Sequence, residues 1–365
     1  MGHDADGAPR DVARDAAAFY ARVAALLAAR ERVALCAILR RTGSGPRHAG
    51  AKMLVREVGG SEGTVGGGVL EVKAAAWARE VLRDGQALCR AFALDLQQAS
   101  DEGMTCGGEV EVLVEYLDGT APAVRDFFAQ VAHLLTCGGR GCLTTAISRD
   151  GSAAATDYFL VAGGRSVASL SRTGHALPED LLHGPAPTAP HLVERGMVRY
   201  FVEPLAPPVT VYIFGGGHIG ARLAPLCHLL GFRTVVVDDR AEFAARDRFP
   251  LADDVIAAPS FDRILDDLPI GEDSYVVIVT RGHGGDQAIL RQVLRRRPGY
   301  IGMLGSRRKR GLMFEQLARE GFTPDDLSRV HCPIGLPVGA ETPEEIAVSI
   351  AAELIAARAR RGGKA

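Results

Sequence analysis

Apolar residues recur at helical spacing at the start of the chain. Over Asp11 to Arg30, Phe19, Val23, Leu26 and Leu27 fall on one face, which predicts an amphipathic opening helix. Arg32 to Leu39 and Lys52 to Val58 are short apolar runs bounded by glycine clusters, and they read as strands. The helical period returns after Gly66-Gly67-Gly68, through Val69, Val72, Ala76, Ala78 and Leu82. Leu88 to Leu96 and Val110 to Leu117 predict strands, Val124 to Leu135 a helix, and the stretch from Cys142 to Phe201 several short strands. This half is therefore α+β, with a strand order that the pattern does not reveal.

The pattern changes after Glu203-Pro204-Leu205-Ala206-Pro207-Pro208, a proline-dense segment that reads as a stiff linker. Val209 to Phe214 is a short, uninterrupted apolar strand, Gly217 to Leu230 a helix, Thr234 to Val237 a β-branched strand and Tyr275 to Thr280 another, with helices beyond. Apolar strands alternating with helices predict a parallel sheet covered on both faces. The expected organisation is an N-terminal α+β domain over 1–205 and a C-terminal Rossmann-like domain over 209–365, giving an α/β chain of two domains.

Composition narrows the function. A chain of 365 residues with 47% hydrophobic and 24% charged residues can bury two cores. The 42 Lys and Arg nearly balance 44 Asp and Glu, so there is no global field to recruit nucleic acid or an acidic membrane, and an anionic ligand must be held by local charge. The first residues lack the order of a secretory signal and no apolar run is long enough to span a bilayer, so the expected location is cytoplasmic. Seven scattered cysteines without a C-x-x-C pair suggest neither a disulfide framework nor a zinc ribbon. Most should behave as small buried hydrophobes. A homodimer is the default expectation for assembly.

Four segments carry candidate chemistry. Gly215-Gly216-Gly217-His218-Ile219-Gly220 fits G-x-G-x-x-G between a predicted strand and a predicted helix. Asp238 follows about 20 residues later at the end of the next strand, where a Rossmann domain places a ribose-binding carboxylate. On that reading Gly215 makes the turn, Gly217 admits a phosphate, Gly220 lets helix and strand pack, and the helix N-terminus faces the anion. Arg240 would stand near a phosphate, although Asp238-Asp239-Arg240 equally fits a solvated turn. Gly302-Met303-Leu304-Gly305-Ser306-Arg307-Arg308-Lys309 joins a loop to a helix and sets three cations beside two glycines and a hydroxyl, which the helix dipole disfavours unless an anion binds there. Gly66-Gly67-Gly68 before Glu71 fits either an anion site or a tight crossing. Cys106, flanked by glycines in a loop between strands, fits either an inert thiol or a soft-metal contact. His218, His283 and Asp286 form no compact metal-ligand pattern.

Several segments together resemble the XdhC/CoxI family of molybdenum-hydroxylase maturation factors. In the first half they are Gly43-Ser44-Gly45-Pro46-Arg47, Gly63 through Glu71 and Met104-Thr105-Cys106-Gly107-Gly108-Glu109. In the second they are Phe214 through Gly220, Val237-Asp238-Asp239-Arg240, Thr280-Arg281-Gly282-His283, Tyr300 through Lys309 and Pro333 through Ala347. Pro337 departs from the pattern, standing where the family often carries an acid. The resemblance implies a protein that binds the molybdenum cofactor, as molybdopterin or its cytosine dinucleotide form, and protects it while the terminal sulfido ligand is installed. The cofactor then passes to a xanthine dehydrogenase or aldehyde oxidoreductase apoenzyme. A cysteine desulfurase is the implied sulfur-supplying partner, and the resemblance implies no turnover of substrate by the chain itself.

Motifs and resemblance together mark Arg47, Gly67, Gly68, Cys106, Gly107, Gly215, Gly217, His218, Gly220, Asp238, Arg240, Gly305, Ser306 and Arg307 as cofactor contacts. Cys106 is the implied molybdenum contact, and no residue is given a catalytic role. The alternative reading is an NAD(P)-dependent oxidoreductase built on the same C-terminal domain, although no Tyr/Lys or His/Asp hydride-transfer pair follows the glycine motif.

Overall fold

The computed structural model describes residues 16–43, 48–94, 108–150, 153–184 and 187–361. The chain divides into two compact units, Asp11–Pro207 and one containing Pro208–Ala365.

The first unit runs α1 (Ala16–Ala28), β1 (Arg32–Gly43), β2 (Lys52–Arg56), β3 (Ser61–Gly63), α2 (Gly68–Asp84), β4 (Ala87–Leu94), β5 (Gly108–Asp118) and α3 (Pro122–Thr136). It continues with β6 (Gly141–Asp150), β7 (Ala153–Ala162), β8 (Arg165–Leu170), α4 (Glu179–His183), β9 (His191–Arg195) and β10 (Val198–Leu205). Its strands form one ten-stranded sheet in the order β3-β2-β1-β5-β4-β7-β6-β10-β9, with β8 on β7. Every pairing in it is antiparallel.

Because side chains alternate across a strand, β1 feeds two cores. Ala34, Cys36 and Ile38 pack beneath α2 with Leu70, Ala74 and Val81. Val33, Leu35 and Ala37 pack with Tyr20, Val23 and Leu27 of α1 and Phe127, Phe128 and Val131 of α3.

The proline-dense segment is shorter as a linker than its sequence suggests. Glu203, Pro204 and Leu205 belong to β10 and pair with Leu143, Cys142 and Gly141. Pro204 is tolerated because β9 pairs with β10 only as far as Val202, so the missing N–H falls where no ladder bond to β9 is made. Glu203 is buried and held by Lys52 at 2.5 Å and the Tyr20 hydroxyl at 3.0 Å.

The second unit runs β11 (Thr210–Phe214), α5 (His218–Leu229), β12 (Arg233–Asp238), β13 (Asp254–Ala257), β14 (Ser274–Ile278), α6 (His283–Leu294) and β15 (Tyr300–Met303). It ends with α7 (Arg307–Arg319), α8 (Pro324–Ser328), β16 (Val330–His331) and α9 (Pro343–Arg361). All pairings in the six-stranded sheet are parallel, in the order β13-β12-β11-β14-β15-β16. Val211, Ile213, Val236 and Val277 face α5 and α9, while Tyr212, Phe214, Val237 and Ile278 face α6 and α7. Burial on both faces explains why these strands read as unbroken apolar runs.

Candidate functional site

The order of the parallel sheet reverses at β11. From there the chain winds outward through β12 to β13, then returns to the other side of β11 for β14, β15 and β16. The carboxyl ends of β11 and β14 therefore flank the point at which open α/β sheets bind ligands. Three helices, α5, α6 and α7, begin just beyond β11, β14 and β15, so their first turns lie at this edge.

The glycines of the turn between β11 and α5 are bare for different reasons. Gly215 has φ +122°, and a Cβ there would lie 2.4 Å from the Val279 carbonyl oxygen. A Cβ on Gly216 would lie 2.2 Å from the Phe243 carbonyl oxygen, and one on Gly220 2.0 Å from that of Gly215. These three positions are closed to any side chain by backbone contacts. Gly217 differs. Its φ is −70°, which any residue adopts, and a Cβ built there meets nothing within 4 Å. Gly217 is the N-cap of α5, with no acid in the first turn. Among the described residues no side chain accepts from the N–H of Gly217, His218 or Ile219. The turn thus presents uncapped donors beside open space, with His218 exposed at the first helical position.

Asp238 is 2% exposed and bonded entirely within the protein. Its Oδ2 accepts from Gly216 N at 2.8 Å and Arg240 Nη2 at 3.1 Å, and its Oδ1 accepts from Arg240 N at 3.0 Å and Nε at 2.9 Å. Burial alone pushes this carboxyl up, but the hydrogen bonds from Arg240 and Gly216 outweigh it and hold it below the usual carboxylate range. The Arg240 guanidinium lies 3.6 Å from the centre of the Phe243 ring and that of Arg248 4.9 Å from it. Arg248 also donates to the Gly216 carbonyl oxygen at 3.1 Å.

The segment after β15 differs from its sequence reading. Ser306 caps α7 by accepting from Lys309 N at 3.2 Å. Gly305 leaves room for the folded-back lysine, since a Cβ there would be 2.9 Å from Lys309 Cδ. Lys309 Nζ then reaches Asp286 Oδ2 at 2.5 Å, while Thr280 Oγ1 donates to Asp286 Oδ1 at 2.6 Å. Asp286 is 1% exposed. Arg307 and Arg308 are exposed and have no ion-pair partner among the described residues.

Asp286, Thr280, Phe243 and Arg248 are thus parts of the site that motif reasoning does not assign, and Lys309, one of the cations it does mark, is held by Asp286. A sequence signal exists for one of them. Asp286 is an acid in the first turn of a helix that starts where β14 ends, a position suited to hold a cation at the sheet edge. The glycine turn joins this group directly, because the space denied to a Gly215 side chain is filled by Val279 and Thr280.

In the first unit, the glycine run before α2 is already occupied. Gly66, Gly67 and Gly68 have φ of +138°, +76° and +56°, and Gly67 N donates to Glu71 Oε2 at 3.1 Å. The same oxygen accepts from the Thr64 hydroxyl, which in turn receives the Gly66 N–H at 3.0 Å. Arg47, Cys106 and Gly107 lie outside the described residues. The described residues flanking them are neighbours: Gly43 pairs with Gly108, and Gly108 pairs with Leu94. Val65, just before α2, and Leu70, in its first turn, pack with Ile38 and Val110 near the same end of these strands.

Cys36, Cys89, Cys227 and Cys332 fit the expectation of small buried hydrophobes, whereas Cys142 is half-buried and Cys137 exposed. Burial pushes Cys36 and Cys227 up to about 12 and Cys89 up to about 11. Among the described residues no group of three His, Cys, Asp or Glu side chains is arranged to hold a metal ion, and no helix is long and apolar enough to cross a membrane.

The sheet order, the glycine turn and the acid at the end of β12 define a Rossmann-type domain joined to an α+β unit. Family models agree: residues 211–354 match the XdhC Rossmann domain and residues 26–92 the XdhC and CoxI family. The chain belongs to the XdhC and CoxI family.

Among its relatives, a Bacillus subtilis protein, named as one probable component of xanthine dehydrogenase, is 28% identical over 355 residues, covering 94% of this chain and 98% of that one. The Escherichia coli protein YqeB is 32% identical over 160 residues, 44% of this chain but 29% of its own length. A crystal structure described as a xanthine dehydrogenase from Bacillus halodurans has a TM-score of 0.76 and 27% identity, covering 97% of each chain.

Proposed function

We propose that this chain is a carrier for the molybdenum cofactor. It binds the cofactor by its phosphate-bearing end and shields it while the terminal sulfido ligand is installed with sulfur from a cysteine desulfurase. It then passes the cofactor to a molybdenum hydroxylase apoenzyme of the xanthine dehydrogenase or aldehyde oxidoreductase type. The names of the Bacillus relatives support the last step, and the family likeness supports the first two. Cys106 is the residue assigned to the molybdenum end of the cargo, and Arg47 and Gly107 accompany it. The carrier acts in the cytoplasm, as a homodimer.

The observation that carries this reading is Gly217. Its neighbours are glycine because the fold leaves no room for anything else, whereas neither conformation nor packing demands glycine at 217. A position kept bare for no internal reason is what close approach of an outside group requires. The adjoining N–H groups and helix dipole suit that group to be a phosphate, which molybdopterin carries singly and its dinucleotide form carries as pyrophosphate.

Gly217→Asp tests this. Aspartate is a favoured N-cap, so α5 should be unchanged or more stable by about 0.5–1 kcal/mol. Its carboxylate would also take the exposed amides and repel phosphate. Cofactor co-purifying from a molybdenum-replete host should fall at least tenfold while the thermal transition holds or rises. Retention at the wild-type level in a folded variant would overturn the reading.

A further inference from the structure

We infer that the C-terminal site recognises its ligand by phosphate alone and makes no use of a ribose diol, because Asp238 holds the glycine turn instead of the ligand. The inference rests on the carrier reading above and sharpens it: the site suits the nucleotide-free phosphomonoester form of the cofactor, and it accepts a dinucleotide form without reading its sugar.

An ionised carboxylate offers about four lone-pair sites. In Asp238 all are engaged, by Gly216 N, Arg240 N, Arg240 Nε and Arg240 Nη2, at 2.8 to 3.1 Å. The side chain is 2% exposed, so a pair of sugar hydroxyls would find neither a free acceptor nor a path to one. The neighbouring acid, Asp239, faces the same guanidinium at 3.7 Å.

Arg240 cannot easily release the carboxylate, because its guanidinium is also stacked on Phe243, with Arg248 against the same ring and tied to the Gly216 carbonyl. The open position at Gly217 is thus followed by the uncapped amides of α5 and preceded by Gly216, whose carbonyl oxygen accepts from Arg248. The guanidinium groups and amides suit a phosphate, while the carboxylate at the end of β12, the one a Rossmann site offers to a diol, is already filled. Asp238 is a positioning residue here: it orients Gly216 and Arg240, and they shape the space into which the phosphate comes. The same occupancy disfavours a nicotinamide dinucleotide held in the usual way through its adenosine ribose.

The test uses the purified full-length chain and titration calorimetry with CDP, 2′-deoxyCDP and inorganic pyrophosphate. The expected result is that CDP and 2′-deoxyCDP bind within threefold of each other. Asp238→Asn, checked by circular dichroism to be folded, should weaken pyrophosphate and CDP by the same factor, as loss of turn geometry demands. CDP binding tenfold or more tighter than 2′-deoxyCDP would mean that the diol is read, and would overturn this inference while leaving the carrier reading standing. An Asp238→Asn loss confined to CDP would overturn it equally. Binding of none of the three probes would instead remove the phosphate site itself, and the carrier reading with it.

Discussion

The turns that open α2 and α5 are both glycine-rich and both lead into helices, yet their amides meet different partners. At α2 the three glycines adopt positive φ, a conformation that side chains resist, and the Gly67 N–H is taken by Glu71 from the helix's own first turn. At α5 only Gly215 needs positive φ. Gly216 and Gly220 are glycine because backbone oxygens approach to within 2.2 Å and 2.0 Å of where a Cβ would sit, and no acid occupies the first turn. One turn is neutralised by an acid of its own helix, and the other has no such acid in its first turn. A run of glycines before a helix therefore says little about anion binding until the acids of the first turn are counted.

The comparison can be broken at either turn. The largest effect is expected at Gly220. Its replacement by alanine drives a methyl into the Gly215 carbonyl and pushes α5 off β11, which should cost on the order of 3 kcal/mol in denaturant unfolding. A loss below about 1 kcal/mol would mean that α5 does not pack as closely as the structure has it. The smallest effect is expected at Glu71. Glu71→Gln keeps an acceptor for Gly67 and removes the charge that faces the helix dipole, so it should cost about 0.5–1 kcal/mol and leave cofactor retention unchanged. Loss of retention in a folded Glu71→Gln protein would show that the α2 turn belongs to the binding surface, and the contrast between the two turns would fail.

Much of the C-terminal unit is legible in the sequence. Val211–Phe214 and Thr234–Val237 are buried on both faces, so their apolar runs give away strand and class together, and G-x-G-x-x-G locates the turn. The chemistry around the turn is less visible, because it depends on partners distant in sequence. Arg240 stands two residues from Asp238, but nothing local says that the same carboxylate will also take the Gly216 N–H, 22 residues earlier. Nor does anything local say that Gly305 is bare so that Lys309 can fold over it to reach Asp286, 23 residues earlier.

In the first unit individual strands can be read from alternation and glycine boundaries, but their order cannot. The pairing of β4 with β7 rests on two register partners, Ala87 with Ala154 and Leu88 with Ala153, and no hairpin signal announces it. The linker reads as longer than it is for a similar reason: Pro204 looks like a breaker until β6 is seen pairing with it.

The most direct measurement is mass spectrometry with metal analysis of whatever is released from the full-length wild-type protein made in a molybdenum-replete host. The account predicts a phosphorylated pterin dithiolene accompanied by molybdenum. Release of nicotinamide nucleotide alone, with no molybdenum and no pterin, would contradict it.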